Sequence, residues 1–112
     1  MAVKVICNNP LQLLSEIKSA IANGNIQTWQ LDKDGDFTHA PVQWQYKAWM
    51  RPRITPGLLT FNILGPSKST LSKEVYGVYH GRFIEMLLTH FDVKFSEATA
   101  SALATTGDVI PR

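Results

Sequence analysis

Residues 42–54 read Val-Gln-Trp-Gln-Tyr-Lys-Ala-Trp-Met-Arg-Pro-Arg-Ile, the longest alternating run in the chain. Val42, Trp44, Tyr46, Ala48 and Met50 fall on one side, and Gln43, Gln45, Lys47, Trp49, Arg51 and Arg53 on the other. A period of two held over this length predicts a strand with one face buried and one wet. Pro52 has no N–H to give, so it should end regular pairing or place the strand at an edge.

Outward from this run the strand pattern continues. Thr55-Pro56-Gly57 turns the chain, and Leu59, Phe61 and Ile63 mark the core face of a following strand, with Thr60 and Asn62 on the outer side. Upstream, Trp29 and Leu31 share a face, Asp32-Lys33-Asp34-Gly35-Asp36 supplies a turn, and Phe37-Thr38-His39 returns until Pro41. The alternating Asp32, Asp34 and Asp36 do not form a calcium loop. That pattern needs Gly at its sixth position and an acid at its twelfth, whereas here Gly35 stands at the fourth and Gln43 at the twelfth.

Two helical patterns flank the strands. Over residues 10–23, Asn8 or Asn9 precedes Pro10 as a cap, Leu11, Leu14, Ile17 and Ile21 recur at spacings of three and four, and Asn23-Gly24 closes the segment. From about Leu71 to Phe91 a long helix carries Tyr76, Tyr79, His80, Phe83, Leu87, His90 and Phe91 along one stripe. Glu74, Val78, Arg82, Glu85 and Thr89 point away from it. In residues 92–112, Val93 and Phe95 suggest a short strand, and Ser96 is placed to cap a small Ala-rich helix over Glu97–Ala104.

These pieces predict one α+β domain over residues 1–112: a two-layer sandwich with an antiparallel sheet of three to four strands over about 27–64. Two main helices cover one sheet face, followed by a short C-terminal element. A chain of 112 residues suits a single domain, and 45% apolar with 18% charged residues excludes a disordered, collagen-like or coiled-coil chain. No apolar run is long enough for a membrane helix, so no membrane partner is expected. The opening MAVKVICNNPLQ is too short in its apolar part for a secretory signal, which makes the cytoplasm the expected compartment. Cys7 is the single cysteine, which leaves no internal disulfide and no cysteine-rich zinc site; it reads as a small core residue.

Charge is segregated. Between Phe37 and Lys73 there is no acid, and Lys47, Arg51, Arg53, Lys68 and Lys73 give +5, while the remainder holds six basic and nine acidic residues. The row Gln45, Lys47, Trp49, Arg51 and Arg53 is therefore the leading candidate for ligand or partner binding. Amides, cations and an aromatic ring in alternation suit phosphates and stacked bases, and an exposed Trp49 equally suits contact with a second copy. Lys68, Ser69 and Thr70, ahead of the long helix, form a possible anion site without the Walker spacing. Gly77 and Gly81 form a notch on that helix for close approach by a neighbour, either a second helix or a symmetry mate.

The stretch Tyr76-Gly-Val-Tyr-His-Gly-Arg-Phe-Ile-Glu is the most distinctive in composition. His80 is the catalytic candidate, either a buried imidazole or an acid–base group in a helix–sheet cleft near Tyr76, Tyr79 or His39. Arg82 and Glu85 read as a surface pair. His80 and His90 stand about 15 Å apart along a helix, too far to share a metal, so no metal or other cofactor is expected. The leading expectation is a non-catalytic binding or assembly module that forms a homodimer through the Gly77/Gly81 notch or the Trp49 face. A nucleic-acid-binding domain using 43–53 and a small enzyme built on His80 are the alternatives.

Overall fold

The computed structural model describes residues 2–66 and 71–109. Its first element is a strand that the sequence reading passed over, β1 (Ala2–Ile6), with Ala2, Val3 and Val5 buried. Helix α1 (Pro10–Ala22) follows, with the Asn9 side chain accepting from the Gln12 N–H at 3.1 Å and Gly24 in the left-handed region at φ +83°. Strands β2 (Trp29–Leu31) and β3 (Phe37–His39) form the expected hairpin around Gly35. Strands β4 (Trp49–Thr55) and β5 (Leu58–Leu64) form the second hairpin. Helix α2 (Lys73–Phe91) is capped by Ser72, whose Oγ accepts from the Val75 N–H, and leads through a 3-10 turn (Asp92–Lys94) into β6 (Glu97–Ala100).

The strands make one antiparallel sheet of six, in the order β2-β3-β4-β5-β1-β6, with two helices: an α+β fold. The three to four strands expected grow to six at both ends of the chain. β1 is too short to show a convincing period, and residues 97–100, expected to be helical, are extended because β1 offers them a free edge. No helix among the described residues is long and apolar enough to cross a membrane.

The alternating run at 42–54 is a strand only from Trp49 onward. Pro41 starts a helical turn instead, its carbonyl accepting from both the Trp44 and Gln45 N–H groups, and Tyr46 sits at φ +61°. Val42 is consequently 92% exposed rather than buried. The turn is pinned from behind. The Thr38 hydroxyl donates to the Ala48 carbonyl at 3.0 Å and accepts from the Tyr46 N–H at 3.2 Å, while the buried Tyr79 hydroxyl donates to the Trp44 carbonyl. Pro52 loses no ladder bond, because β3 pairs with β4 at Phe37–Met50 and does not reach that far.

Both helices and the inner sheet face share one core. Leu13, Leu14 and Ile17 of α1 and Tyr79, Phe83, Met86, Leu87 and Phe91 of α2 pack with Val3, Val5, Trp29, Phe37, Met50, Leu59, Phe61 and Ile63. The buried stripe of α1 is rotated from the expected one: Leu13 is covered and Leu11 is 67% exposed. Phe83 is the hub, with ring centroids 4.9 Å from Trp29, 5.9 Å from Phe37 and 4.4 Å from Phe61. Truncating Phe83 to Ala should lower stability in urea unfolding by about 3–5 kcal/mol, whereas Leu11→Ala should stay within about 0.5 kcal/mol.

Candidate functional site

The expected binding row is split by the turn at 41–47. Trp49, Arg51 and Arg53 project from the outer face of β4, whereas Lys47 is exposed on the turn and Gln45 turns back to donate to Gln30 Oε1 at 2.9 Å. Within β4 the cations are unequal. Arg51 makes a two-point contact with Asp36, Nε to Oδ1 at 3.0 Å and Nη2 to Oδ2 at 2.8 Å. Asp36 is 3% exposed and ends the 32–36 turn, where Asp32 Oδ1 accepts from the N–H groups of Asp34 and Asp36, both at 2.9 Å. The hairpin thus delivers a fixed carboxylate to Arg51 in the fork geometry that guanidinium prefers.

The surroundings of Trp49 are therefore acidic rather than basic. A shallow hollow of about 460 Å³ is lined by Trp49, Leu64 and Val109 together with Asp32, Asp34, Asp36 and Arg51. The outer face is also less open than expected. Asn62 is 5% exposed because the C-terminal segment crosses it, and its amide donates to Asp108 Oδ1 at 2.9 Å and to the Thr106 carbonyl at 3.2 Å. Burial pushes the Asp108 carboxyl up, but the donors and positive charge facing it, the Thr105 N–H and the Asn62 amide among them, hold it below its usual value. Arg53 stands at the other end of β4, opposite Thr60, which lies opposite Lys4 of β1.

His80 is buried at 4% exposure, its ring 4.3 Å from Tyr76 and its Nδ1 2.8 Å from the Tyr76 carbonyl one turn earlier. His39 does not join it. That ring stacks on Trp29 at 4.7 Å, and its Nδ1 lies 2.7 Å from the Thr28 carbonyl. Desolvation lowers the His39 pKa, more than the Thr28 hydrogen bond raises it. The Tyr79 hydroxyl is engaged with Trp44 and Thr38, and the Tyr76 hydroxyl donates to the Ser101 carbonyl. These groups hold segments together; they do not converge on one space where a substrate could sit.

The remaining expected positions fall apart. Lys68, Ser69 and Thr70 lie outside the described residues. Gly77 and Gly81 are exposed on α2, and a Cβ at either would meet nothing within 4 Å, so among the described residues no second helix fills the notch. The reason is placement: α2 turns its buried stripe to the sheet and α1 lies elsewhere on the core, leaving the glycines on the solvent side. Arg82 and Glu85 form the expected surface pair at 3.4 Å. Among the described residues no three His, Cys, Asp or Glu side chains gather to hold a metal ion. The residues that sequence reading missed here are Asp36 and Asp108. Asp36 had a local signal in its hairpin, but Asp108 had none, because its partner is far away in sequence. No family model matches the chain, and neither a curated protein nor a solved structure matches it.

Two stability measurements check this geometry. Arg51→Ala should cost roughly 1–3 kcal/mol, because it leaves the buried Asp36 carboxylate without its donor, and Asp36→Ala in the same chain should recover part of that loss. The His39 pKa is lowered on folding, so below the ordinary value of 6.5 the unfolded chain takes up a proton that the folded one refuses. The urea midpoint should therefore fall as pH drops through 6.5 toward the lowered folded value, and His39→Gln should flatten that portion of the profile.

Proposed function

We propose that this chain is a non-catalytic binding or assembly module that works as a homodimer, with the outer sheet face around Trp49 as the contact. The observation that carries the reading is the half-buried Trp49, set in a hollow with Leu64 and the 53% exposed Val109. An aromatic and two aliphatic side chains left partly in water at one place favour a protein partner.

The face is also suited to a second copy. Its Trp49 end is flanked by three aspartates against one arginine, while Arg53 and Lys4, about 13 Å away along β4 by strand geometry, are exposed and form no ion pair among the described residues. A two-fold axis through the face brings the acidic end of one copy against the basic end of the other, as an isologous contact requires. A cytoplasmic setting is part of this reading and accords with a single, buried thiol.

Nucleic-acid binding is less well supported, since Arg51 is neutralised by Asp36 and two further carboxylates stand beside Trp49. Catalysis at His80 is disfavoured by its burial and by its bond within its own helix. Sedimentation equilibrium should find the wild type dimeric and Trp49→Ala monomeric, with Trp emission of the wild type unchanged by short mixed oligonucleotides. A wild type that stays monomeric up to high concentration sinks the reading. Salt-sensitive quenching by the oligonucleotides would replace it with the nucleic-acid one.

A further inference from the structure

We propose that the C-terminal segment is an internal occupant of a peptide slot on β5, and that the slot accepts in trans an extended segment of another protein carrying a carboxylate directly before a small apolar residue. This goes beyond the dimer reading and does not depend on it.

The slot follows from the register of the sheet. Ala2 of β1 lies opposite Asn62, while β4 continues on the other side of β5, with Met50 opposite Ile63 and Trp49 opposite Leu64. On the β1 side, the backbone of residues 63–65 pairs with Val109. The Val109 N–H donates to the Ile63 carbonyl at 3.0 Å, and the Gly65 N–H donates to the Val109 carbonyl at 2.7 Å, in a parallel bridge. One residue earlier, Asp108 Oδ1 accepts from the Asn62 side-chain amide at 2.9 Å and from the Ile63 N–H at 3.2 Å. Strand addition at a sheet edge with a carboxylate cradle beside it is a recognised way to read an extended peptide. Here the backbone bonds give affinity and the charged acceptor gives selectivity.

The slot is rigid and its occupant is soft. β5 is fixed by Leu59, Phe61 and Ile63, all fully buried. Residues 101–109 contribute no fully buried side chain, and Leu103 is 78% exposed. Their hold is polar and centred on Asp108, whose Oδ2 also accepts from the Thr105 N–H at 2.7 Å to close the preceding turn. Gly107 belongs to the fit: it sits at φ +101°, and a Cβ there would stand 2.9 Å from Asn62 Oδ1. A segment held by few apolar contacts opens at low free energy. Being tethered, it competes at an effective concentration in the millimolar range, so an outside peptide enters only once the segment is released.

The test uses the full chain as wild type, Asp108→Asn and Gly107→Ala, and a fluorescein-labelled peptide Thr-Thr-Gly-Asp-Val read by anisotropy. Exchange of the Gly65 amide reports release of the tail. Both variants should exchange that amide faster and bind the peptide at least about ten-fold more tightly than wild type, as loss of a tethered competitor predicts. The same peptide with Asn in place of Asp should bind about ten-fold more weakly than the Asp form, the loss expected for one charge-assisted contact. The proposal is overturned if Gly65 exchange stays slow in both variants. It is equally overturned if released variants bind no better than wild type, or if the Asn peptide binds as well as the Asp peptide.

Discussion

Strand β1 is hydrogen-bonded along both edges, to β5 on one side and to β6 on the other, and the remaining architecture hangs on that double pairing. Its partners lie far along the chain, Asn62 opposite Ala2 and Ala100 opposite Val3. Such pairings close long loops, so their entropy is lost before their contacts form. Among the described strands β6 is an edge that pairs only with β1, so its place in the sheet depends on β1. Val3 and Val5, both fully buried, fix β1 in the core that α2 covers. The Ala2 N–H donates to Ser101 Oγ at 2.8 Å, which ties the end of β6 to the start of β1.

Elements with a local cause were legible in the sequence. Pro10 behind Asn9, the Asp-Gly turn at 34–35, and the alternation of Leu59, Phe61 and Ile63 each act within a few residues, and each appears in the structure as expected. Misreadings arose where a distant partner decided the outcome. Residues 97–100 have an Ala-rich, helix-compatible composition, yet the free edge of β1 makes them a strand. The alternation at 42–47 is real in the letters but is overridden by Thr38 and Tyr79, which hold a turn there through backbone groups that carry no side-chain signature. The α1 stripe was rotated because Leu11 and Leu13 differ only in which one the sheet meets.

The same rule governs the candidate site. Trp49, Arg51 and Arg53 do share a face of β4, as their spacing requires. Their electrostatics could not be read from the row itself, since the neutralising Asp36 comes from the previous hairpin and the covering Asp108 from the far end of the chain. A segment that is basic in composition thus becomes locally acidic around Trp49. Net charge along a sequence predicts the field of a surface only where the fold keeps sequence neighbours together.

Cys7 follows β1 directly, buried at 5% exposure, with its N–H donating to the Gly57 carbonyl across the end of the sheet. Burial also raises its pKa, so little of the reactive thiolate exists at neutral pH. Cys7 also lines a hollow of about 350 Å³ with Ile6, Gly57 and Phe95, so its low reactivity toward a small reagent comes from the scarcity of thiolate as well as from burial. Modification of Cys7 would thus report on the end of β1, the strand that joins β5 to the edge strand β6.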